Sequence, residues 1–358
     1  MSPFSCSLGG DNKWVTSRLV SFPPVAAVTV TYGRRWKFLS QVLDELVTNH
    51  PLVGDIVIVD NASEDDIESC VNLVRNTCGA RIHAARLDTN TGSANGYKTG
   101  IEIALRETEA ELLWLLDDDN KPCEQSLERL LCAYRALGDD PNNALASLRR
   151  DRQQYLRAAK DGTMVGLKPN SFFGFHIRDA GCKFGRKLMS KSRQHQVSKL
   201  RFPLISIGCV PYGGLLFHRD WIRKIGLPDE RFYLYADDIE FSSRMVGHGG
   251  RIYLCAMSEV EDLEVSWHLW TSASHPMMSS TADLLMLYYQ IRNQAYLETR
   301  RCVSCFPIYV LNVVAFLGFL AASSLWFDRK PLFTARRIRF LVTAIRDGWA
   351  GRLGQVEI

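Results

Sequence analysis

The 358 residues lack a long apolar run near the N-terminus, a cysteine framework and any large surplus of one charge. Each absence closes a class of answers. Met1 to Val20 holds no apolar stretch of signal-peptide length, so export of the catalytic part is not expected. The ten cysteines mostly stand alone, and the one C-x-x-C, Cys302-Val303-Ser304-Cys305, has no second pair at zinc-finger spacing. Free thiols in a reducing cytoplasm are the expectation. Neither G-x-G-x-x-G nor G-x-x-x-x-G-K-[ST] is present, which weakens dinucleotide and P-loop readings. A composition 46% hydrophobic and 23% charged, with 13 Pro and 25 Gly, excludes disordered, collagen-like and low-complexity classes.

The net charge of +4 conceals a split. Residues 1–148 carry −8, 149–201 carry +11, 202–327 carry −3 and 328–358 carry +4. The middle segment, with Arg149, Arg150, Arg152, Arg157, Arg186, Lys187, Lys191 and Arg193, is thus strongly basic. A solvated basic loop would account for it, as would contact with phosphate or an anionic membrane surface. Nucleic acid is not expected, since aromatic interleaving and RNA or DNA motifs are missing.

One stretch reads as membrane-related. Residues 302–327 hold no formal charge, and Phe306 to Phe327 is long enough to cross a hydrocarbon core of ~30 Å. Arg300 and Arg301 precede it, while Arg329, Lys330, Arg336, Arg337 and Arg339 follow, so the positive-inside bias picks no orientation. That symmetry favours a segment lying in or dipping into one leaflet, or a helix buried against a partner subunit in a homo-oligomer; the leaflet reading leads, with a true span and a plain core or interface helix as the alternatives. From Phe333 to Trp349, Phe333, Ile338, Leu341, Val342, Ile345 and Trp349 share a helical face with the arginines opposite, a pattern suited to anionic lipid surfaces.

From residue 25 onward, apolar runs alternate with helical patterns. Val25 to Thr31, Asp55 to Asp60, Arg81 to Ala85 and Leu112 to Leu116 read as strands, interleaved with helices near 38–47, after Ser63 and over 94–107. The alternation predicts an α/β fold with a mostly parallel sheet flanked by helices, plus a C-terminal helical membrane-associated region. Ligands bind at the carboxyl ends of such strands, which here carry Thr31 to Arg35, Asp60 to Ser63 and Asp117 to Asn120.

Chemistry is sought at those ends. Asp117-Asp118-Asp119 follows an apolar strand directly, and three carboxylates at one sheet edge invite a cation with oxygen ligands; a solvated turn or helix cap would use the same residues. Asn90-Thr91-Gly92-Ser93-Ala94-Asn95-Gly96 sets small residues before a helix, where a backbone approaches a ligand closely. Asp237 and Asp238 follow the aromatic run Phe232 to Tyr235, a setting that raises a carboxyl pKa and suits a general base. Trp267-His268 offers an imidazole, which serves as a metal ligand or as a structural histidine.

Together these stretches, with Tyr288 to Asn293, resemble the GT-A fold, Rossmann-like glycosyltransferases of family 2, in their galactofuranosyltransferase and rhamnosyltransferase branch. The resemblance runs from about Val25 to Arg301. It implies an inverting, metal-dependent transfer from a nucleoside-diphosphate sugar to a lipid-linked or growing glycan on the cytoplasmic face of the membrane, peripheral or monotopic through the C-terminal region. UDP-galactofuranose is the first donor implied and dTDP-rhamnose the second. Thr31, Arg34, Asp60, Asn90 and Gly92 would line the donor pocket, with Asp60 reading the pyrimidine. Asp117 and Asp119 would hold Mg²⁺ or Mn²⁺, with Asp118 nearby on the donor and His268 completing the site. Asp238, or its neighbour Asp237, would be the base, and Glu240 would orient acceptor or base.

The implied organisation is an N-terminal extension over 1–24, a nucleotide-sugar half over 25–143, an acceptor half over 144–300 and C-terminal helices over 301–358. The departures are Gly33, where members often carry Asn, and 144–201, which matches no family motif. A processive synthase is disfavoured because Q-x-x-R-W is absent. A nucleotidyltransferase would want a basic Gly-rich loop after the first strand, which Gly33-Arg34-Arg35 matches only faintly. The non-enzymatic alternative is a membrane-anchored nucleotide-sugar binding module.

Overall fold

A computed structural model of the chain describes residues 22–75, 80–162, 165–179, 203–264 and 275–356. His268 and Trp267 lie outside the described residues, as do Arg186, Lys187, Lys191 and Arg193.

The first half is a βα alternation. Strand β1 (Val25–Thr31) leads to α1 (Trp36–Asn49), β2 (Val53–Asp60) to α2 (Ile67–Arg75), β3 (Arg81–Arg86) to α3 (Gly92–Glu107), and then comes β4 (Leu112–Asp117). These strands pair in parallel in the order β3-β2-β1-β4. β1 is buried throughout, and the aliphatic part of β4 likewise, so both read as continuous apolar runs covered on two faces.

Beyond β4 the sheet turns mixed. The short β5 (Asn120–Pro122), α4 (Ser126–Ala136), β6 (Asn143–Arg149), α5 (Gln153–Asp161), β7 (Leu204–Ile207), β8 (Leu215–His218), α6 (Asp220–Ile225), α7 (Asp237–Gly247) and β9 (Arg251–Asp262) follow. β8 runs antiparallel between β4 and β6, β6 and β9 are parallel, and β5 and β7 pair with β9. The sheet therefore continues across the expected 143/144 boundary.

Two apolar clusters sandwich the sheet. One gathers β-strand residues such as Val28, Leu115 and Phe217 with α3 and α7, and the other joins Leu39, Leu43 and Leu131 of α1 and α4 to Ile56 and Trp114. α3 comes unusually near the sheet. A Cβ on Gly96 would sit 2.5 Å from Val30, and one on Gly100 would sit 2.6 Å from Val28. These two glycines serve helix-to-sheet packing rather than approach to a ligand, which only the start of α3 is placed to make.

Three C-terminal helices, α8 (Leu284–Arg301), α9 (Phe306–Phe327) and α10 (Pro331–Trp349), build a third cluster with Phe172 and Met278. Pro307 and Pro331 stand in the first turns of α9 and α10, where the missing N–H costs nothing. α9 is long and apolar enough to cross a membrane, and about a third of it is buried. Its inner stripe is Tyr309, Asn312, Val313, Phe316, Leu320 and Ser324. The outer one carries Leu311, Val314, Phe319, Leu325 and Trp326.

The inner stripe is pinned by polar contacts. Asn312 donates to the Asn170 carbonyl at 2.7 Å and accepts from the Ile177 amide at 2.8 Å, while Ser324 bonds Thr334 of α10 at 2.9 Å. On α10 the apolar face expected to meet lipid turns inward instead: Leu341 and Ile345 are buried in the third cluster with Ile338 and Trp349 packed against it, while Val342 is exposed and Arg337 is buried with a bond to the Ser279 carbonyl.

Candidate active site

The apolar strands end where the chain must become polar, and their polar ends converge. Thr31, the last residue of β1, donates its hydroxyl to Asp118 at 2.8 Å. Asp117, the last of β4, accepts from the buried Tyr97 hydroxyl at 2.7 Å. Asp118 is also held by Arg35, whose Nε lies 2.9 Å from both carboxylate oxygens. Arg35 reaches Asp119 at 3.1 Å as well and pairs with Glu264.

Arg34, expected on the donor, points elsewhere. Its side chain is 80% exposed and pairs with Glu64, whereas Arg35 is 12% exposed and takes the place among the carboxylates. The sequence offered two adjacent arginines and no means of choosing between them. Arg35 also lies over the rings of Tyr32 and Phe38, which fixes its direction.

The triplet is electrically strained. Burial pushes the Asp118 carboxyl up to about 7, against the pull of Arg35 and Thr31. Asp119 is raised to about 6, first by burial and then by the Asp117 charge.

On the donor side, Asp60 is buried, accepts from the Ser63 amide at 2.7 Å and is clamped by Arg86 at 2.5 Å. Asn61, next to it, donates to Asn90 at 3.1 Å and to the Gly92 carbonyl at 3.0 Å, and accepts from the Thr91 amide at 2.9 Å. Asn61 therefore shapes the Asn90 to Gly92 turn. Gly92 has φ +81° and presses on Tyr233, whose carbonyl would lie 2.0 Å from a Cβ there, so no other residue fits.

The opposing wall is the start of α7. Tyr233, Tyr235 and Ala236 all have positive φ, a left-handed run that costs L-residues about 1–3 kcal/mol each. Asn293 of α8 secures it, with Nδ2 within 2.8 Å of the Phe232 and Leu234 carbonyls and 3.0 Å of that of Tyr235. Asp237 is buried, accepts from Ser93 of α3 at 3.0 Å and is held well above the usual carboxylate range by burial and by Asp238. Asp238 remains half-buried, accepts from the Ile239 amide at 2.7 Å and is pushed up to about 6 by burial, with Asp117 adding to the rise. Glu240 is not brought to the two aspartates; it pairs with Arg244 at 2.9 Å and Arg301 at 2.8 Å.

The floor was not foreseen. Arg149, at the end of β6, is buried and joins Asp262 at 2.5 Å to Asp117 at 3.5 Å. Asn120 adds a bond to Asp262 at 3.0 Å. Gly213 crosses above them. A Cβ there would stand 1.8 Å from the Asn120 side-chain oxygen and 2.8 Å from Asp117, so only glycine clears the ion pair. The basic segment thus sends its first arginine into the cleft, a placement set by pairing between strands distant in sequence.

A divalent cation fits the donor set in chemistry: Asp117 and Asp119 are hard oxygen ligands, each partly accessible, and their mutual repulsion is relieved by positive charge. Among the described residues no group of three or more His, Cys, Asp or Glu side chains gathers to hold a metal by itself.

The family model described as glycosyl transferase family 2 matches residues 26–226. The chain is 27% identical over 229 residues to galactofuranosyltransferase GlfT1 of Mycolicibacterium smegmatis, covering 63% of this chain and 66% of the relative. To GlfT1 of Mycobacterium tuberculosis it is 25% identical over 229 residues, covering 63% and 65%. The chain thus spans just under two thirds of the length of these curated relatives.

Among solved structures, GalNAc-T7 with UDP, GalNAc and Mn²⁺ superposes with a TM-score of 0.54 at 13% identity, over 78% of this chain and 48% of that one. Staphylococcus aureus TarS 1–349 in complex with UDP-GlcNAc does so with a TM-score of 0.50 at 12% identity, over 91% and 92%. At such identities the likeness shows the fold, and the sheet flanked by helices is the GT-A arrangement expected.

Proposed function

The chain belongs to glycosyl transferase family 2, and from that premise we propose that it transfers galactofuranose, with inversion, from a UDP-sugar to a lipid-linked or growing glycan. The observation that carries the proposal is the pair of carboxylate sets facing one cleft. Asp117 and Asp119 stand at the end of β4 and Asp238 at the start of α7, near enough that the Asp117 charge raises the Asp238 carboxyl.

In this reading each set has its own task. Asp60, Asn90 and the Gly92 turn receive the nucleotide, with Arg35 and Thr31 fixing the acidic turn beneath the diphosphate. Asp117 and Asp119 would hold Mg²⁺ or Mn²⁺, which supplies positive charge to the leaving diphosphate. Asp238 takes the acceptor hydroxyl proton as that oxygen attacks the anomeric carbon and the bond to the donor phosphate breaks. Attack from the face opposite the leaving group inverts the configuration. Asp238 is favoured over Asp237 because it reaches solvent, while Asp237 is buried against Ser93. Glu240, turned toward Arg244 and Arg301, acts on the base only through α7.

The membrane reading joins this one. α9 would lie in one leaflet with Leu311, Val314, Phe319 and Trp326 toward lipid, because its other stripe is tied to residues 170 and 177 and to α10. The acceptor would reach the cleft from that surface.

The test is a thermal-shift screen of UDP- and dTDP-sugars with and without Mn²⁺, since a ligand at a hundred times its Kd stabilises by about 2.7 kcal/mol. UDP-galactofuranose is expected to raise the melting temperature most, and more with Mn²⁺. A larger rise with dTDP-rhamnose would transfer the donor assignment, and no rise with any nucleotide would overturn it.

A further inference from the structure

Behind the wall formed by the start of α7, that helix, α8 and the loop before α7 flank an open pocket of about 340 Å³. It is lined by Asp229, Arg231, Glu240, Arg244, Tyr296, Leu297, Arg300 and Arg301, so that four guanidiniums face two carboxylates. The carboxylates are already engaged. Asp229 holds Arg231 at 2.7 Å, and Glu240 holds both Arg244 and Arg301. Arg244 also donates to the Ile225 carbonyl and, at 2.8 Å, to that of Leu227, which anchors it as the pocket's back. Arg300 has its guanidinium 5.5 Å from the centre of the Tyr296 ring. Two positive charges are left in excess in one concave space.

We propose that this pocket is a binding site for a phosphate group, separate from the donor cleft. The lining selects the chemistry. Planar guanidinium forks match the oxygens of a phosphate, and beside Tyr296 and Leu297 every lining side chain is charged. The volume admits a phosphate carrying a small polar group.

Position bears on the source of the phosphate. Arg301 is five residues from Phe306, a reach of at most ~18 Å, and Phe306 packs on Trp349 with ring centres 5.4 Å apart. The pocket therefore neighbours the end of the α9–α10 hairpin where Phe306 meets Trp349 and where Arg300 and Arg301 flank the apolar helix. A lipid headgroup and a soluble phosphate ester offer the same chemistry. Only the choice of the lipid source rests on the membrane reading.

The test uses the full chain and two variants, Arg231→Gln/Arg300→Gln and the single Arg300→Glu, whose side chain makes only the Tyr296 ring contact among the described residues. Calorimetric titration with sn-glycerol 3-phosphate is expected to show binding that falls at least tenfold in both variants, with far-UV circular dichroism unchanged. Sedimentation with phosphatidylglycerol and with phosphatidylcholine vesicles then separates the sources. Loss confined to phosphatidylglycerol vesicles assigns a lipid headgroup, and unchanged vesicle binding assigns a soluble ester; either supports the pocket. No titration with glycerol 3-phosphate, or equal titration in wild type and variants, overturns it, even if vesicle binding falls through diffuse charge. Retained binding to neutral vesicles keeps failure of the pocket distinct from failure of the membrane reading.

Discussion

Asp238 and Asp237 are neighbours in sequence with opposite surroundings. The Asp237 carboxyl is buried and accepts from Ser93, while Asp238 stays partly exposed with its carboxyl pushed up to about 6. A base must be ionised to accept a proton, so turnover is expected to rise with pH through about 6 and to fall below it. Asp238→Asn should lower kcat by 10² or more, within the usual range for general-base loss, and leave the UDP-sugar thermal shift intact. Asp237→Asn should instead leave kcat within a few-fold of the parent and not lower the melting temperature, because the neutral amide can still accept the Ser93 bond and no longer buries a charge. Steady-state kinetics beside melting curves checks both, and equal loss of kcat in the two variants would sink the distinction. The sequence displayed both aspartates but not their environments, since burial of Asp237 depends on α3 lying against α7.

At the scale of elements, the left-handed run at 233–236 is held by α8, some 60 residues further along the chain. Asn293→Ala should release it. We expect kcat to drop about tenfold and donor KM to rise with it, because the loop orients α7 and its Tyr233 carbonyl also packs on Gly92 and bonds the Ala94 amide of the nucleotide turn; a change in KM alone would refute this. α8 carries a second device. Glu298 is buried, accepts from Gln294 at 2.7 Å, the Phe173 amide at 2.8 Å and Tyr309 at 3.0 Å, and is raised to about 7 by burial.

The folded state thus binds its proton more tightly than the unfolded chain, where glutamate titrates near 4.3. Its contribution is complete below that value and is lost as pH rises through about 7, amounting to a few kcal/mol at most. Glu298→Gln should flatten the fall in melting temperature between pH 5 and 8, measured by differential scanning calorimetry. The motif reading named Tyr288 to Asn293 without saying what it grips, because the gripped carbonyls belong to a distant loop.

For the whole molecule, the C-terminal hairpin presents an apolar face that the membrane reading turns toward lipid. The outer stripe of α9 is apolar and exposed, while the inner one is locked by Asn312 and Ser324. Leu311→Glu/Val314→Glu is expected to reduce sedimentation with phosphatidylcholine vesicles at least tenfold and to leave the melting temperature within about 1 °C. A large fall in melting temperature at unchanged vesicle binding would mean that a second copy of the chain covers this face.

By itself the sequence determined what local chemistry dictates. Continuous apolar runs made β1, β2 and β4 buried strands, their carboxyl ends marked the cleft, and Asp117 to Asp119 and Asp237 to Asp238 were visible as paired charge. The family followed from the order of those motifs, and the matching family model bears it out. Tertiary structure decided everything that depends on what meets across the sheet. It chose Arg35 over Arg34, brought Arg149 beneath Gly213 to Asp117, turned Glu240 away to Arg301 and gave α9 one anchored face. The physical reason is common to all four. A side chain's charge and shape are fixed by its residue, but its burial and partners are fixed by strands and helices far away in the chain.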